Sequence, residues 1–254
     1  MIGLSTTAVG IFRKIFKRNK IVQAILLRNW PEVRMWVMRC PRKARALYRI
    51  MSDNGPTVAH PLHHSLMCNP PYQVVGALVK AYPAALVLCD SLHKRYPLHI
   101  ACCESPNNFP VIETLLEAFP DIAMVRDKLG RLPLHYAIEN KAASVTISLL
   151  LDYHPWSAAQ PTEKGWYPLH MACALDLPYQ IIQKLVQSWP PALSKKADGR
   201  KPSDIVADGN ATYKKKILEM FQEDEEPDLR LYPIMPNTMV ITTGHMTGRN
   251  LKLL

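Results

Sequence analysis

A chain of 254 residues, 48% of them apolar, can build one large domain or two small ones, which excludes wholesale disorder, and no apolar run approaches the roughly 18 residues of a membrane-spanning helix. Proline is high at 22 residues and glycine low at 10, so regularly placed prolines must be part of the architecture. The net charge of +10 belongs to residues 1–50, which hold twelve Lys and Arg against Glu32 alone, whereas the remaining 204 residues carry 19 positive and 20 negative charges; such asymmetry bears on partners and targeting, not on fold.

Residues 8–20 come first. At about 100° per residue, Ile11, Phe12, Ile15 and Phe16 share an arc of about 140°, with Arg13, Lys14, Lys17, Arg18 and Lys20 opposite. A basic amphipathic helix over 1–20 fits three roles: a cap on the following domain, an organelle-targeting segment, or a contact with an anionic membrane surface or acidic partner. A secretory signal is not expected, because the basic residues follow the apolar stretch at 8–12 instead of preceding it. Residues 21–56 read as a degenerate capping repeat: Val33, Trp36, Val37 and Pro41 match the stripe and closing proline of the units that follow, and Trp30 packs near the start of that helix.

The units themselves occupy 57–222. His60–Pro61–Leu62–His63, Tyr96–Pro97–Leu98–His99, Leu132–Pro133–Leu134–His135 and Tyr167–Pro168–Leu169–His170 recur at intervals of 36, 36 and 35 residues, and Lys201–Pro202–Ser203–Asp204 follows after 34. Each run opens a short helix at its proline, where the missing N–H is not needed. Further along come Val74–Val75 with Leu78–Val79, Val111–Ile112 with Leu115–Leu116, Thr146–Ile147 with Leu150–Leu151, and Ile181–Ile182 with Leu185–Val186. That spacing puts one apolar stripe on a second helix. Tyr82–Pro83, Phe119–Pro120, His154–Pro155 and Trp189–Pro190 end these helices, since the residue before a proline is pushed out of the α region.

Neither helix can bury its stripe alone. The expected fold is therefore all-α, a solenoid of helix pairs joined by short loops or hairpin turns. A closing repeat fills 200–222 with Ile217, Leu218 and Phe221 as its apolar face, and 223–254 is an acidic run followed by a tail without sustained period, expected to be a mobile extension, with pairing of Met239–Val240–Ile241 as a short strand the alternative.

Asp127–Lys128–Leu129–Gly130–Arg131–Leu132–Pro133–Leu134–His135–Tyr136–Ala137 resembles the ankyrin repeat's Asp-x-x-Gly-x-Thr-Pro-Leu-His-x-Ala, departing only at Leu132. Gly165 and Gly199 keep the turn glycine, while His93–Lys94 stands in its place in the first turn. His60, Tyr96, Leu132, Tyr167 and Lys201 replace the family's capping threonine, a loss of about 0.5–2 kcal/mol each, with packing by Tyr82, Phe119 and Trp189 as the compensation. The resemblance implies that His99, His135 and His170 form a hydrogen-bond ladder between neighbouring units.

Catalytic signatures are missing: the sequence has no glycine-rich phosphate loop, HExxH, GxSxG or kinase pattern, and the ends outside the repeats are too short for a catalytic domain. A non-enzyme is expected, with no cofactor and no small-molecule substrate. His99 with Cys102, and His170 with Cys173, have zinc-compatible spacing, but core roles are preferred because both cysteines follow the family's alanine position. Six cysteines without paired spacing point to a reducing, intracellular setting, the cytoplasm first and a mitochondrion or other organelle as the alternative.

In the ankyrin family, turn tips and first helices form a concave binding face. The matching tips are Arg95, Lys128, Arg131, Lys164, Trp166 and Arg200; along the first helices they are Cys103, Glu104, Glu139, Asn140, Ala174 and Leu175. Trp166 is the expected hot spot as an exposed tryptophan among basic residues, and the row of Arg and Lys implies an acidic partner surface. The expected function is a protein-interaction scaffold or adaptor. The alternative is a structural subunit of a membrane-associated or organellar assembly held by the N-terminal helix. Nucleic-acid binding ranks last, because few aromatics accompany the basic segment.

Overall fold

The computed structural model describes residues 20–52, 55–209 and 212–223. Arg13, Lys14, Lys17 and Arg18 of the basic N-terminal segment, and the tail beyond Glu223, lie outside the described residues; Lys20 is the first residue of a helix.

Among the described residues six helix pairs follow one another: α1 (Lys20–Leu26) and α2 (Trp30–Arg39), α3 (Pro61–Leu66) and α4 (Tyr72–Ala81), α5 (Pro97–Glu104) and α6 (Phe109–Ala118), α7 (Pro133–Glu139) and α8 (Ser144–Tyr153), α9 (Pro168–Ala174) and α10 (Tyr179–Ser188), α11 (Pro202–Asp208) and α12 (Lys214–Glu223). First helices α1, α3, α5, α7, α9 and α11 stack in that order, and second helices α2, α4, α6, α8 and α10 form a parallel row. This is the helical solenoid that the periodicity predicts, because each four-residue stripe is buried between neighbours: Val111, Ile112, Leu115 and Leu116 are fully enclosed, as are their counterparts in α4, α8 and α10. Each such aliphatic side chain contributes about 1.5–3 kcal/mol. All the units share one continuous core.

The closing prolines do more than stop a helix. Tyr82, Phe119, His154 and Trp189 leave the helical region, and the prolines that follow open 3-10 turns at Pro83–Val87, Pro120–Met124, Pro155–Ala159 and Pro190–Ser194. The fixed φ of proline suits the first residue of such a turn. The same arrangement, Pro41–Arg45, follows α2.

One junction is not helical. Between α2 and α3, β1 (Tyr48–Ser52) and β2 (Gly55–Ala59) pair antiparallel from Tyr48↔Ala59 to Ser52↔Gly55. Gly55 sits at φ +112°, a region that suits glycine. Val58 N–H donates to Ser91 Oγ at 2.8 Å and Ser91 N–H returns a bond to the Val58 carbonyl at 3.0 Å, so the hairpin is fastened to the next turn.

The first turn forms without its glycine. Lys94 takes φ +56°, close to Gly130 at +66° and to Gly165 and Gly199 at +78°. Buried Asp90 holds it there, its Oδ1 accepting from the N–H groups of His93 at 2.8 Å and Arg95 at 3.3 Å.

Candidate protein-binding face

Four buried histidines fix the first helices to one another. Their Nε2 atoms lie 2.8 Å from the Leu88 carbonyl (His63), 3.0 Å from Arg131 (His99), 3.0 Å from Gln160 (His135) and 3.1 Å from Lys195 (His170). In two of them the opposite nitrogen reveals the tautomer. Nδ1 of His99 accepts from Tyr96 N–H at 3.3 Å, and Nδ1 of His135 from Leu132 N–H at 2.9 Å, so each ring is neutral and donates through Nε2. Burial drives the pKa of His63 and His99 down to about 4 and that of His135 to about 3. The backbone bond at Nδ1 acts in the same direction, since a protonated Nδ1 cannot accept.

The ring therefore does part of the work that threonine does in the family. No side chain at the cap position bonds the helix start; the residue three further on reaches back instead. In the last unit Asp204 Oδ2 plays this part, accepting Lys201 N–H at 2.8 Å. Aromatic packing reinforces the junctions: Tyr167 stacks on Trp189 at 5.2 Å, and His60 lies 5.2 Å from Tyr82.

The turn tips are tied into a row. Lys128 N–H donates to the His93 carbonyl at 3.2 Å, and Arg126 Nη1 and Nη2 reach the Pro161 carbonyl at 2.9 Å and Gln160 Oε1 at 2.6 Å. Trp166 Nε1 donates to Asp198 Oδ2 at 2.7 Å. Trp166 is thus half-buried rather than free, its polar atom engaged and its ring edge-on to His170 at 6.3 Å.

The tip arginines are neutralised within the chain. Arg95 pairs with Asp90 at 3.2 Å and Glu104 at 3.6 Å, Arg131 with Asp127 at 3.6 Å and Glu139 at 3.0 Å, and Arg200 with Asp208 at 2.6 Å. Arg131 also lies 4.1 Å over the Tyr136 ring and donates to its hydroxyl, which itself donates to Asp127 Oδ2 at 2.6 Å. This narrows the basic row: Lys128 and Lys164 are the tip cations left exposed, with no side-chain partner among the described residues.

In three of the four tip-bearing units, an arginine at the tip meets a carboxylate at the end of the first helix. The unit of α9 breaks the pattern, placing Trp166 at the tip and exposed Ala174 at the helix end. Leu175 and Met171 beside them are half-buried against the core, where the counterparts of Met171, namely Ile100, Tyr136 and Ile205, are buried. Trp166, Met171, Ala174 and Leu175 thus form an apolar gap flanked by the Arg131–Glu139 and Arg200–Asp208 pairs. Asn140 is exposed and bonded to the Tyr136 carbonyl at 2.8 Å. The sequence reading missed Met171 and Leu129, the latter 50% exposed beside Lys128. Comparing the units at the eighth residue after each tip, where Ala174 stands against Glu139 and Asp208, exposes the gap.

Cys102 and Cys173 are buried thiols. Burial pushes Cys173 up to about 12 and Cys102 higher still, and both ring nitrogens of His99 are engaged by the backbone. Among the described residues, no three His, Cys, Asp or Glu side chains converge as a metal site, and no helix is long and apolar enough to cross a membrane.

Comparison with known proteins places this geometry. Residues 98–197 match the family model for ankyrin repeats, in three copies. Over 81 residues the chain is 36% identical to the probable 26S proteasome regulatory subunit p28 of Saccharomyces cerevisiae, a match spanning 32% of this chain and 35% of the relative.

Proposed function

We propose that this chain, whose residues 98–197 are ankyrin repeats, is a binding scaffold that holds another protein on its concave side. The observation that carries this reading is the apolar gap of Trp166, Met171, Ala174 and Leu175 in a face otherwise closed by arginine–carboxylate pairs. An apolar centre ringed by polar groups has the composition of a hot spot, where a handful of side chains dominates affinity. Lys128 and Lys164 at the neighbouring tips favour an acidic rim on the partner.

A binding role, not a catalytic one, suits a face whose four ladder histidines each spend Nε2 on a backbone carbonyl. The six unpaired cysteines support an intracellular setting. Similarity to a protein named as a probable proteasome regulatory subunit supports a second form of the same reading, in which the partner belongs to a large assembly. Attachment to a membrane through residues 1–20 rests on their sequence alone.

Site-specific photo-crosslinking tests the reading. A crosslinker at position 175 captures the partner, whereas one at Glu117, exposed on α6, does not. Equal capture from both positions would contradict it.

A further inference from the structure

Every inner second helix is covered on both sides: α4 lies between α2 and α6, α6 between α4 and α8, and α8 between α6 and α10. α2 buries Val33 and Val37 and packs on α4, but no described second helix covers its opposite side. On its outer face, turned away from Val33 and Val37, Pro31, Arg34, Met35, Met38 and Arg39 line a groove of about 470 Å³. Met38 is 75% exposed. Methionine is a flexible, polarisable side chain that adapts to a docked apolar surface.

The rim of the groove is charged with one sign. Arg34 and Arg39, and Arg42 just beyond α2, are exposed and meet no acid among the described residues. Glu32, the single acid of this region, is already engaged: Oε1 accepts Trp36 Nε1 at 3.1 Å and Oε2 accepts Asn29 Nδ2 at 3.0 Å. Lys20 and Lys43 sit over the Trp36 ring at 4.5 and 5.8 Å and add to the positive field.

We propose that this face of α2 is a second docking site, and that it takes an acidic amphipathic helix of a partner protein. The helix lies along the outer face of α2, its apolar stripe on Met35 and Met38 and its carboxylates against Arg34 and Arg39. Charge selects this occupant. Residues 8–19 carry four basic residues and no acid, so seating them here sets like charges together. A second copy docked by two-fold symmetry would likewise bring arginine against arginine.

The test uses the full chain and a labelled synthetic helix of about 14 residues, leucine on one face and glutamate elsewhere, beside a scrambled peptide of the same composition. Fluorescence anisotropy at roughly 0.1 M salt should show the ordered peptide binding and the scrambled one at least about tenfold weaker. M38E and the double variant R34E/R39E should each weaken binding by about tenfold or more with unchanged melting, because these side chains are exposed. L175E should leave the peptide unaffected, which separates this site from the concave face. Should either charge-reversal variant fail to fold, R34Q/R39Q replaces it with the same expectation.

Equal binding of the two peptides, or affinity indifferent to these variants, would overturn the proposal. So would a tightening of about tenfold on deleting residues 1–19, which would make the groove a seat for the chain's own segment. A dimer in sedimentation that M38E dissolves would assign the face to self-association. Binding to anionic vesicles that M38E abolishes while peptide affinity stands would assign it to a membrane.

Discussion

His135 Nε2 lies 3.0 Å from the carbonyl oxygen of Gln160, so the first helix of one unit is bonded to the turn of the next through a ring that must stay neutral. Because burial lowers the folded pKa of His135 to about 3 and those of His63, His64 and His99 to about 4, the unfolded chain binds more protons than the folded one between these values and about pH 6.5. The histidine contribution to stability is thus complete above about pH 6.5 and is lost as pH falls toward the folded values, each histidine adding about 1.4 kcal/mol per pH unit. Urea midpoints at about pH 7 and pH 5, above the carboxylate range, should show this fall; equal midpoints would contradict it.

Replacing His135 with alanine should lower stability by about 1–3 kcal/mol, since it removes the buried ring that bonds the Leu132 N–H and the Gln160 carbonyl. The same variant should have a shallower acid slope, by one proton. An unchanged midpoint would remove the ladder as a structural device.

The turn glycines should not be equivalent. Alanine at Gly130 is strained at φ +66° and sets its Cβ 2.8 Å from Glu163 Cγ, whereas alanine at Gly165 meets nothing within 4 Å. Both should destabilise by about 1–2 kcal/mol for the left-handed backbone, with Gly130→Ala the worse of the two. Thermal melts of the pair decide it, and the reverse order would contradict the packing of Glu163 on this tip.

Much of this was legible in the sequence because it repeats. The Pro-Leu-His runs and apolar pairs specify both helix rows, and the ladder follows from their resemblance to the ankyrin repeat. The hairpin at Tyr48–Ala59 was not legible: it occurs once, and nothing in its sequence repeats. The pairing of the tip arginines with the helix ends was not legible, because those carboxylates lie 8 or 9 residues away across a turn and a helix, a distance that only the fold closes. Nor was the bond from Trp166, whose partner Asp198 lies 32 residues on.

A stack of units held by neighbour contacts should tolerate shortening. Ending the chain after Gly165 removes α9 to α12 and exposes the stripe of α8, yet leaves the earlier pairs with their own neighbours. Circular dichroism should show a weakened but helical fragment with a lower melting temperature. Complete loss of helicity would mean that long-range contacts, not nearest neighbours, hold the array.

The central claim is that the apolar gap on the concave side binds a protein, and its most direct measurement is quantitative capture from native extract by the full chain, compared with L175E and with E117K on α6. Leu175 is half-buried at the gap and Glu117 exposed, and both variants should keep the parent's helicity. The account predicts a set of proteins retained by parent and E117K and lost with L175E, reduced by about tenfold or more. Capture that is identical with L175E, or lost equally with E117K, would contradict it.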